Sequence, residues 1–202
     1  MILFASFSSF FVETVDLLEK AKELINEKED NKSSILITKI EGIRAGYYLK
    51  IHEYEKAAEI HNQNLVTRKG LLSPQKFYLS GISSRGIATA FYYLGKEAEN
   101  NNDADSVDYF RKSFEFNTLA LDYFDKDDSE QSKYERAITE IRRAGSLIKM
   151  ERYIDHNAFC SSVNQMISSL QKALAFLETL EDTNSKEISK AKEMIELFKN
   201  KQ

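Results

Sequence analysis

The chain has 202 residues, of which 42% are hydrophobic and 30% are charged, a composition that supports a folded core and excludes wholesale disorder. This length suits one domain better than two. The net charge of −4 argues against duplex nucleic acid as a partner, because phosphate backbones are normally bound by clustered Lys and Arg. The single cysteine, Cys160, permits no internal disulfide and fits a reducing compartment, so the cytoplasm is the expected location.

The first twelve residues, MILFASFSSFFV, carry no charged side chain. They are too short to span a bilayer, and no Lys or Arg precedes the apolar run as it would in a signal peptide. We therefore expect residues 1–12 to form an apolar arm that docks on the helical core or on a second copy of the chain. A homo-oligomer formed through this arm is one consequence, and no membrane span is expected.

The rest of the chain has the sequence pattern of helices. One proline and seven glycines are too few for a turn-rich β-fold, and apolar residues recur every three or four positions without any strand-like alternation. We expect residues 1–202 to form a single all-α domain of about eight helices. The predicted helices cover about 11–28, 33–51, 52–69, 73–99 and 104–124, and three more begin near residues 129, 157 and 184.

Several predictions about these helices depend on individual residues. Ser33 and Ser129 are expected to cap the second and sixth helices, and Ser73 followed by Pro74 predicts the start of the fourth. The fifth helix is apolar on two faces, which predicts that it is sandwiched between neighbours. The second helix is expected to bury an apolar face that includes Leu36, Ile40, Ile43, Tyr47 and Ile51.

Residues 42–65, GIRAGYYLKIHEYEKAAEIHNQNL, carry a repeat pattern. Ala45 and Tyr48 fall in one helix, Tyr54 follows a turn, and Ala57 and His61 fall in the next helix. This arrangement resembles one tetratricopeptide repeat (TPR), in which small residues let two antiparallel helices approach and large residues fill the gaps. Weaker echoes in later helix pairs involve Ala88, Phe91, Ser106, Phe110 and Ser113, and then Ala144, Leu170, Ala173 and Leu174.

The resemblance covers residues 35–180 and departs from the family in two ways. The spacing between matching positions exceeds the usual repeat of about 34 residues. His61 and Asn64 also stand where the family usually has a bulky apolar or aromatic residue and a small one. Two architectures therefore stay open, a TPR-like α-solenoid of antiparallel helix pairs or a compact helical bundle.

The resemblance implies a non-enzymatic scaffold or adaptor that binds a protein or peptide in a concave groove. The first helix of each pair would line that groove, through Lys39, Lys50, Arg85, Tyr92, Arg142 and Lys149. A groove so basic and aromatic suits an acidic peptide or a C-terminal carboxylate. No cofactor, metal or catalytic residue is expected, because the three histidines are scattered and no phosphate-binding loop or nucleophile motif is present.

Two alternative functions remain open. Long helices with scattered asparagines resemble the peptide-sensing repeat domains of bacterial quorum-sensing regulators, in which case Asn62, Asn64 and Asn117 would hold a peptide backbone and output would pass through a partner protein. The segment RYIDH, with Arg152 and His156, resembles the arginine–histidine motif of HEPN ribonucleases. The spacing between its Arg and His is shorter than in that family.

Overall fold

The computed structural model describes residues 16–25, 31–180 and 185–201. Within these ranges the chain is all-α and forms no strand, so the predicted fold class is confirmed. Residues 16–25 form helix α1. It is followed by α2 Asn31–Lys50, α3 Tyr54–Lys69, α4 Lys76–Asn100, α5 Ser106–Phe124, α6 Glu130–Met150, α7 His156–Glu178 and α8 Ser185–Lys199. A short 3-10 turn, Glu151–Tyr153, joins α6 to α7. The predicted arm at 1–12 lies outside the described residues.

The helix starts agree with the local sequence signals at some positions and not at others. The Ser129 side chain caps α6 by accepting a hydrogen bond from the Ser132 amide, as predicted. The prediction for Ser33 is wrong, because α2 already begins at Asn31. The fourth helix begins at Lys76, two residues after Pro74. Within the described ranges, no helix is long and apolar enough to cross a membrane.

The helices pack in the order of the chain. From α2 onward each helix contacts the next one, and α2 also contacts α4, α4 contacts α6, and α6 contacts α8. The even-numbered helices therefore form a row of neighbours, and α3, α5 and α7 each contact two successive members of that row. An ion pair of 2.7 Å between Lys22 and Glu41 joins α1 to α2.

The apolar core is concentrated in the second half of the chain. Helices α5 to α8 enclose a continuous cluster whose fully buried members include Phe110, Val163, Leu170, Leu177 and Phe198. Each of these side chains stabilises the fold by about 1.5–3 kcal/mol relative to an exposed position. A much smaller apolar cluster lies between α3 and α4, around Tyr54, Ala57, Ala90 and Leu94.

The first half of the α2–α3 interface is polar. The predicted apolar face of α2 is wrong for Leu36, Ile43 and Ile51, which are exposed, whereas Ile40 and Tyr47 are half-buried. Leu36 and Ile43 are 46% and 61% exposed, whereas Thr38 is 2% exposed. The reason lies on α3, where Asn64 and Arg68 both donate hydrogen bonds to the Thr38 carbonyl oxygen. These donors are buried, so they hold the Thr38 side of α2 against α3, and Leu36 and Ile43 lie on the outside.

Glycines on α4 give its neighbours room to approach. A β-carbon at Gly95 would lie 2.8 Å from a ring carbon of Phe110 on α5. A β-carbon at Gly86 would overlap the ring of His61 on α3. Because α4 packs tightly against both neighbours, its remaining face is directed toward α2 and α6, where the candidate site lies.

Candidate binding groove

Three cavities follow the row of even-numbered helices. The N-terminal cavity, about 770 Å³, lies among α2, α3 and the starts of α4 and α6. The central cavity, about 450 Å³, lies among α2, α3, α4 and α6. The C-terminal cavity, about 350 Å³, lies among α4, α5, α6 and α8. Volumes of this size are typical of sites that bind small ligands or short stretches of chain.

Neighbouring cavities share wall residues. Gly42, His61, Ile82 and Arg85 line both the N-terminal and the central cavity. Thr89, Tyr93 and Arg142 line both the central and the C-terminal cavity. The cavities are therefore parts of one groove that runs from α2 across α4 and α6 to α8, and we refer to it as the groove.

The structure places five of the six predicted site residues on the groove walls. Lys39 lines the N-terminal cavity, Lys50 the central cavity and Tyr92 the C-terminal cavity, while Arg85 and Arg142 each line two cavities.

Lys149 lines none of the three cavities. Its ammonium group lies 2.6 Å from a Glu99 carboxylate oxygen and 5.8 Å from the centre of the Phe110 ring. Lys149 therefore ties α6 to α4 and α5, a contact that sequence spacing alone does not reveal.

Arg85 is not a free cation. Its guanidinium forms an ion pair with Glu135, and both side chains are only 16% exposed. The pair joins α4 to α6 across the groove and neutralises the charge locally. Arg85 therefore shapes the groove more than it adds positive charge to it.

Arg142 differs from Arg85 because it forms no ion pair with any described carboxylate. It donates a hydrogen bond of 2.6 Å to the Thr89 hydroxyl and faces the groove. Arg142 is exposed as a residue, and partial desolvation of its guanidinium by the groove walls, followed by the charge of Arg85, lowers its pKa from the ordinary value. Arg142 nevertheless stays charged at neutral pH, and its positive charge is open to a ligand.

Helix α8 adds two cations that lie outside the predicted repeat region. Lys186 and Lys190 line the C-terminal cavity together with Arg142, and the acidic side chain on that wall is Glu187. Partial burial, followed by the charges of Arg142 and Lys186, lowers the pKa of Lys190. No sequence signal linked α8 to the groove, because the repeat resemblance ends at residue 180.

The three candidate asparagines are not brought together. Asn62 is exposed, and Asn64 is committed to its hydrogen bond with the Thr38 carbonyl. Asn117 lines the C-terminal cavity, where it is 2% exposed and its Oδ1 atom has no hydrogen-bond partner. Of the three, Asn117 alone lines the groove, with an oxygen atom that accepts no hydrogen bond from any described residue.

His61 lines the groove at two of its cavities and is 5% exposed. Its Nδ1 atom is buried without a hydrogen-bond partner. Burial, followed by the charges of Arg68 and Arg85, lowers the pKa of His61 to about 4, so the ring is neutral at pH 7. The sequence already marked His61 as unusual, because a TPR usually has a bulky apolar or aromatic residue at this position.

The residues considered for catalysis lie outside the groove. Arg152, in the 3-10 turn, pairs with Glu99. His156 is the first residue of α7, and its Nε2 atom lies 3.6 Å from the Cys160 sulfur. Among the described residues there is no group of three or more His, Cys, Asp or Glu that could hold a metal ion.

Comparison of the chain with protein-family models, with curated proteins and with solved structures finds no match. Function is therefore inferred from the groove itself.

Proposed function

We propose that this protein is a non-enzymatic scaffold that binds an extended peptide, or an extended segment of a partner protein, along the groove. The observation that carries this proposal is the continuity of the groove, whose cavities share walls from α2 to α8. A row of connected cavities suits a chain that places successive side chains in them.

The order of helix contacts supports the expected TPR-like solenoid. In a stack of helix pairs, the first helix of each pair contacts the first helix of the next pair, as α2, α4, α6 and α8 do. The small residues of the repeat pattern are also buried, with Ala45, Ala57 and Ala144 each 0% exposed. In this proposal the scaffold acts in the cytoplasm, the compartment that its single cysteine favours.

The charge of the groove favours an acidic ligand. Lys39, Lys50 and Arg142 form no ion pair with any described carboxylate, although the whole chain carries a net charge of −4. Unpaired cations on one face of an acidic molecule attract anionic segments and orient them during encounter.

Aromatic side chains supply the apolar part of the surface. Tyr93 is 39% exposed and stacks on Tyr54, with ring centres 5.2 Å apart. Tyr92 lies edge-on beside Tyr93. Rigid tyrosine rings bury large areas at little cost in conformational entropy, so they suit the middle of a peptide-binding surface.

Selection from a randomised peptide display library tests the proposal directly. We expect the wild type to enrich extended peptides rich in Asp and Glu, and to bind the synthetic peptides saturably. The variant Lys50→Glu/Arg142→Glu should lose this binding, because both side chains line the central cavity and neither is paired with a described carboxylate.

The matched control is Lys69→Glu/Lys172→Glu, which makes the same change of charge on exposed positions of α3 and α7. It should bind the selected peptides as the wild type does. Enrichment of no peptide, or equal loss of binding in both double variants, would contradict the assignment of the groove.

A peptide-sensing regulatory module is a second candidate, and Asn117 favours it. The buried Oδ1 atom of Asn117, which accepts no hydrogen bond from any described residue, can accept one from a peptide N–H group of a ligand. Replacement by leucine, Asn117→Leu, should then abolish the rise in melting temperature that a selected peptide causes in the wild type. An unchanged rise would leave the plain scaffold as the better description.

A further inference from the structure

Arg68 is a buried cation without an acidic partner. It lies on α3, is 2% exposed, and donates hydrogen bonds to the carbonyl oxygens of Thr38 and Leu79 and to the hydroxyl of Ser83. All three acceptors are neutral, and no described carboxylate forms an ion pair with Arg68. Its Nε atom has no hydrogen-bond partner. Buried charges are normally paired, so the missing negative charge needs an explanation.

Among the described residues, no neighbouring side chain supplies that negative charge. His61 is neutral at pH 7 and is itself without a hydrogen bond to any described residue. Glu135 is occupied by Arg85. Asp127 accepts hydrogen bonds from Ser129 at the start of α6. The negative charge that Arg68 lacks is therefore not provided by the groove wall.

Arg68 and His61 line the N-terminal cavity. Its two acidic lining residues, Asp127 and Glu135, are the ones already engaged by Ser129 and Arg85, and the remaining features of the wall favour an anion. Lys39 lines it without an ion pair to any described carboxylate. Pro74 and Gln75, at the start of the 25-residue helix α4, line it as well. The first turn of α4 holds no acidic residue, and Ser73 accepts hydrogen bonds from the amides of Gln75 and Lys76, so the helix end adds only its partial positive charge to this wall.

The cavity also has an apolar wall. Ile43, Leu79 and Ile82 line it, and Tyr78 lies beside them. Its volume of about 770 Å³ lies in the range of sites that enclose a small organic molecule. A bare inorganic ion would leave most of this wall unused.

We propose that the N-terminal cavity binds a small organic oxyanion, a carboxylate or a phosphate ester with an apolar body. Its negative oxygens face Arg68, His61 and Lys39, and its apolar body lies against Ile43 and Ile82. The ligand provides the counter-charge of Arg68, and the neutral His61 ring can donate one N–H group to it. This site does not depend on peptide binding elsewhere in the groove.

The test uses four probes, inorganic phosphate, phenyl phosphate, 3-phenylpropionate and the uncharged 3-phenylpropanol. Binding to the full chain is followed by ¹H–¹⁵N spectra that include the side-chain Nε–H of Arg68, and by the melting temperature. We expect phenyl phosphate or 3-phenylpropionate to shift the Arg68 Nε–H signal and to bind at least about tenfold more tightly than the alcohol.

Three variants locate the site. Arg68→Met should weaken binding of the charged probes by at least about tenfold. Lys39→Gln should also weaken their binding measurably. Because Lys39 is exposed, this variant keeps the test valid if Arg68→Met does not fold. Lys69→Gln, next to Arg68 but exposed, is the control and should bind as the wild type does.

Equal binding of 3-phenylpropanol and 3-phenylpropionate would overturn the anion site. Full binding by Lys39→Gln, or the absence of binding by both charged organic probes, would also overturn it. Tighter binding of phenyl phosphate than of 3-phenylpropionate, with loss in Lys39→Gln, would support the phosphate ester as the ligand class, and the reverse order would support the carboxylate.

Discussion

The imidazole ring of His61, on α3, fills the space that a side chain at position 86 of α4 would need. A β-carbon built on Gly86 would overlap the ring atoms. The same ring is buried, neutral at pH 7 and part of two cavity walls. This contact therefore links the close packing of α3 on α4 to the surface of the groove.

Gly86→Ala should destabilise the protein by about 1–3 kcal/mol, because the added methyl group must displace the His61 ring or separate two packed helices. Urea unfolding followed by circular dichroism measures the change. Gly46→Ala is the control, since nothing lies within 4 Å of a β-carbon at that helical position. It should stabilise the protein by about 0.5–1 kcal/mol.

The double variant Gly86→Ala/His61→Ala isolates the contact. If the methyl group clashes with the ring, the cost of Gly86→Ala should be much smaller when residue 61 is alanine. An equal cost in both backgrounds would show that the overlap with His61 is not the cause.

Stability should fall on acidification because of His61. Its pKa is about 4 in the folded protein and close to its ordinary value of 6.5 when unfolded. The unfolded chain therefore binds a proton between these values and the folded chain does not, so stability falls as pH drops through 6.5 and levels off below 4. Between pH 7.5 and 5 we expect this group to cost about 2 kcal/mol.

Denaturant unfolding at several pH values, in wild type and in His61→Gln, measures this contribution as the difference between the two curves. Titration of the His61 ring protons by NMR gives the pKa independently. A ring that titrates near 6.5, or identical pH profiles for the two proteins, would contradict the buried neutral state.

Arg68→Met should destabilise the protein by about 2 kcal/mol. The guanidinium donates hydrogen bonds to oxygens on both α2 and α4, and losing these bonds destabilises the fold. Removal of the unpaired buried charge offsets part of that loss. Arg68→Lys should not restore stability, because one ammonium group cannot reproduce the forked contacts. Lys69→Met should stay within about 0.5 kcal/mol of wild type, and thermal or chemical unfolding compares all three.

Lys149 and Arg142 should behave differently, although the sequence placed both in the groove. Lys149→Ala should change the affinity for a selected peptide by less than about twofold and cost at most about 1 kcal/mol of stability, because its contacts are Glu99 and Phe110. Arg142→Ala should weaken peptide binding at least about tenfold with little change in stability. Fluorescence anisotropy with a labelled peptide gives both affinities, and equal losses would contradict the position of the groove.

The helices were predictable because their signals are local. The periodic apolar residues of α7 and α8, including Leu170 and Phe198, are buried as expected. Ser129 and Asp155 cap the helices that follow them, since a side-chain oxygen needs only the next two or three amides. The two apolar faces of α5 pack against α4 and α6, as its composition indicated.

The direction in which α2 faces was not predictable. Its apolar residues Leu36 and Ile43 lie outward because Asn64 and Arg68, on the next helix, donate hydrogen bonds to the Thr38 carbonyl oxygen. Burying those polar side chains without partners would cost more than exposing two aliphatic ones. The spacing of apolar residues cannot predict a hydrogen bond between residues so far apart in the sequence.

The sequence by itself determined an all-α chain and the approximate limits of its helices, and the TPR resemblance predicted a face of cations with Tyr92 on the second, fourth and sixth helices. Only the tertiary structure decided which of these residues line a cavity. In the folded chain Arg85 forms an ion pair with Glu135, Lys149 pairs with Glu99 outside the groove, and Lys190 lines the groove. The physical reason is that helix formation depends on neighbours three or four residues apart, whereas a cavity depends on which helices meet and which charges they neutralise.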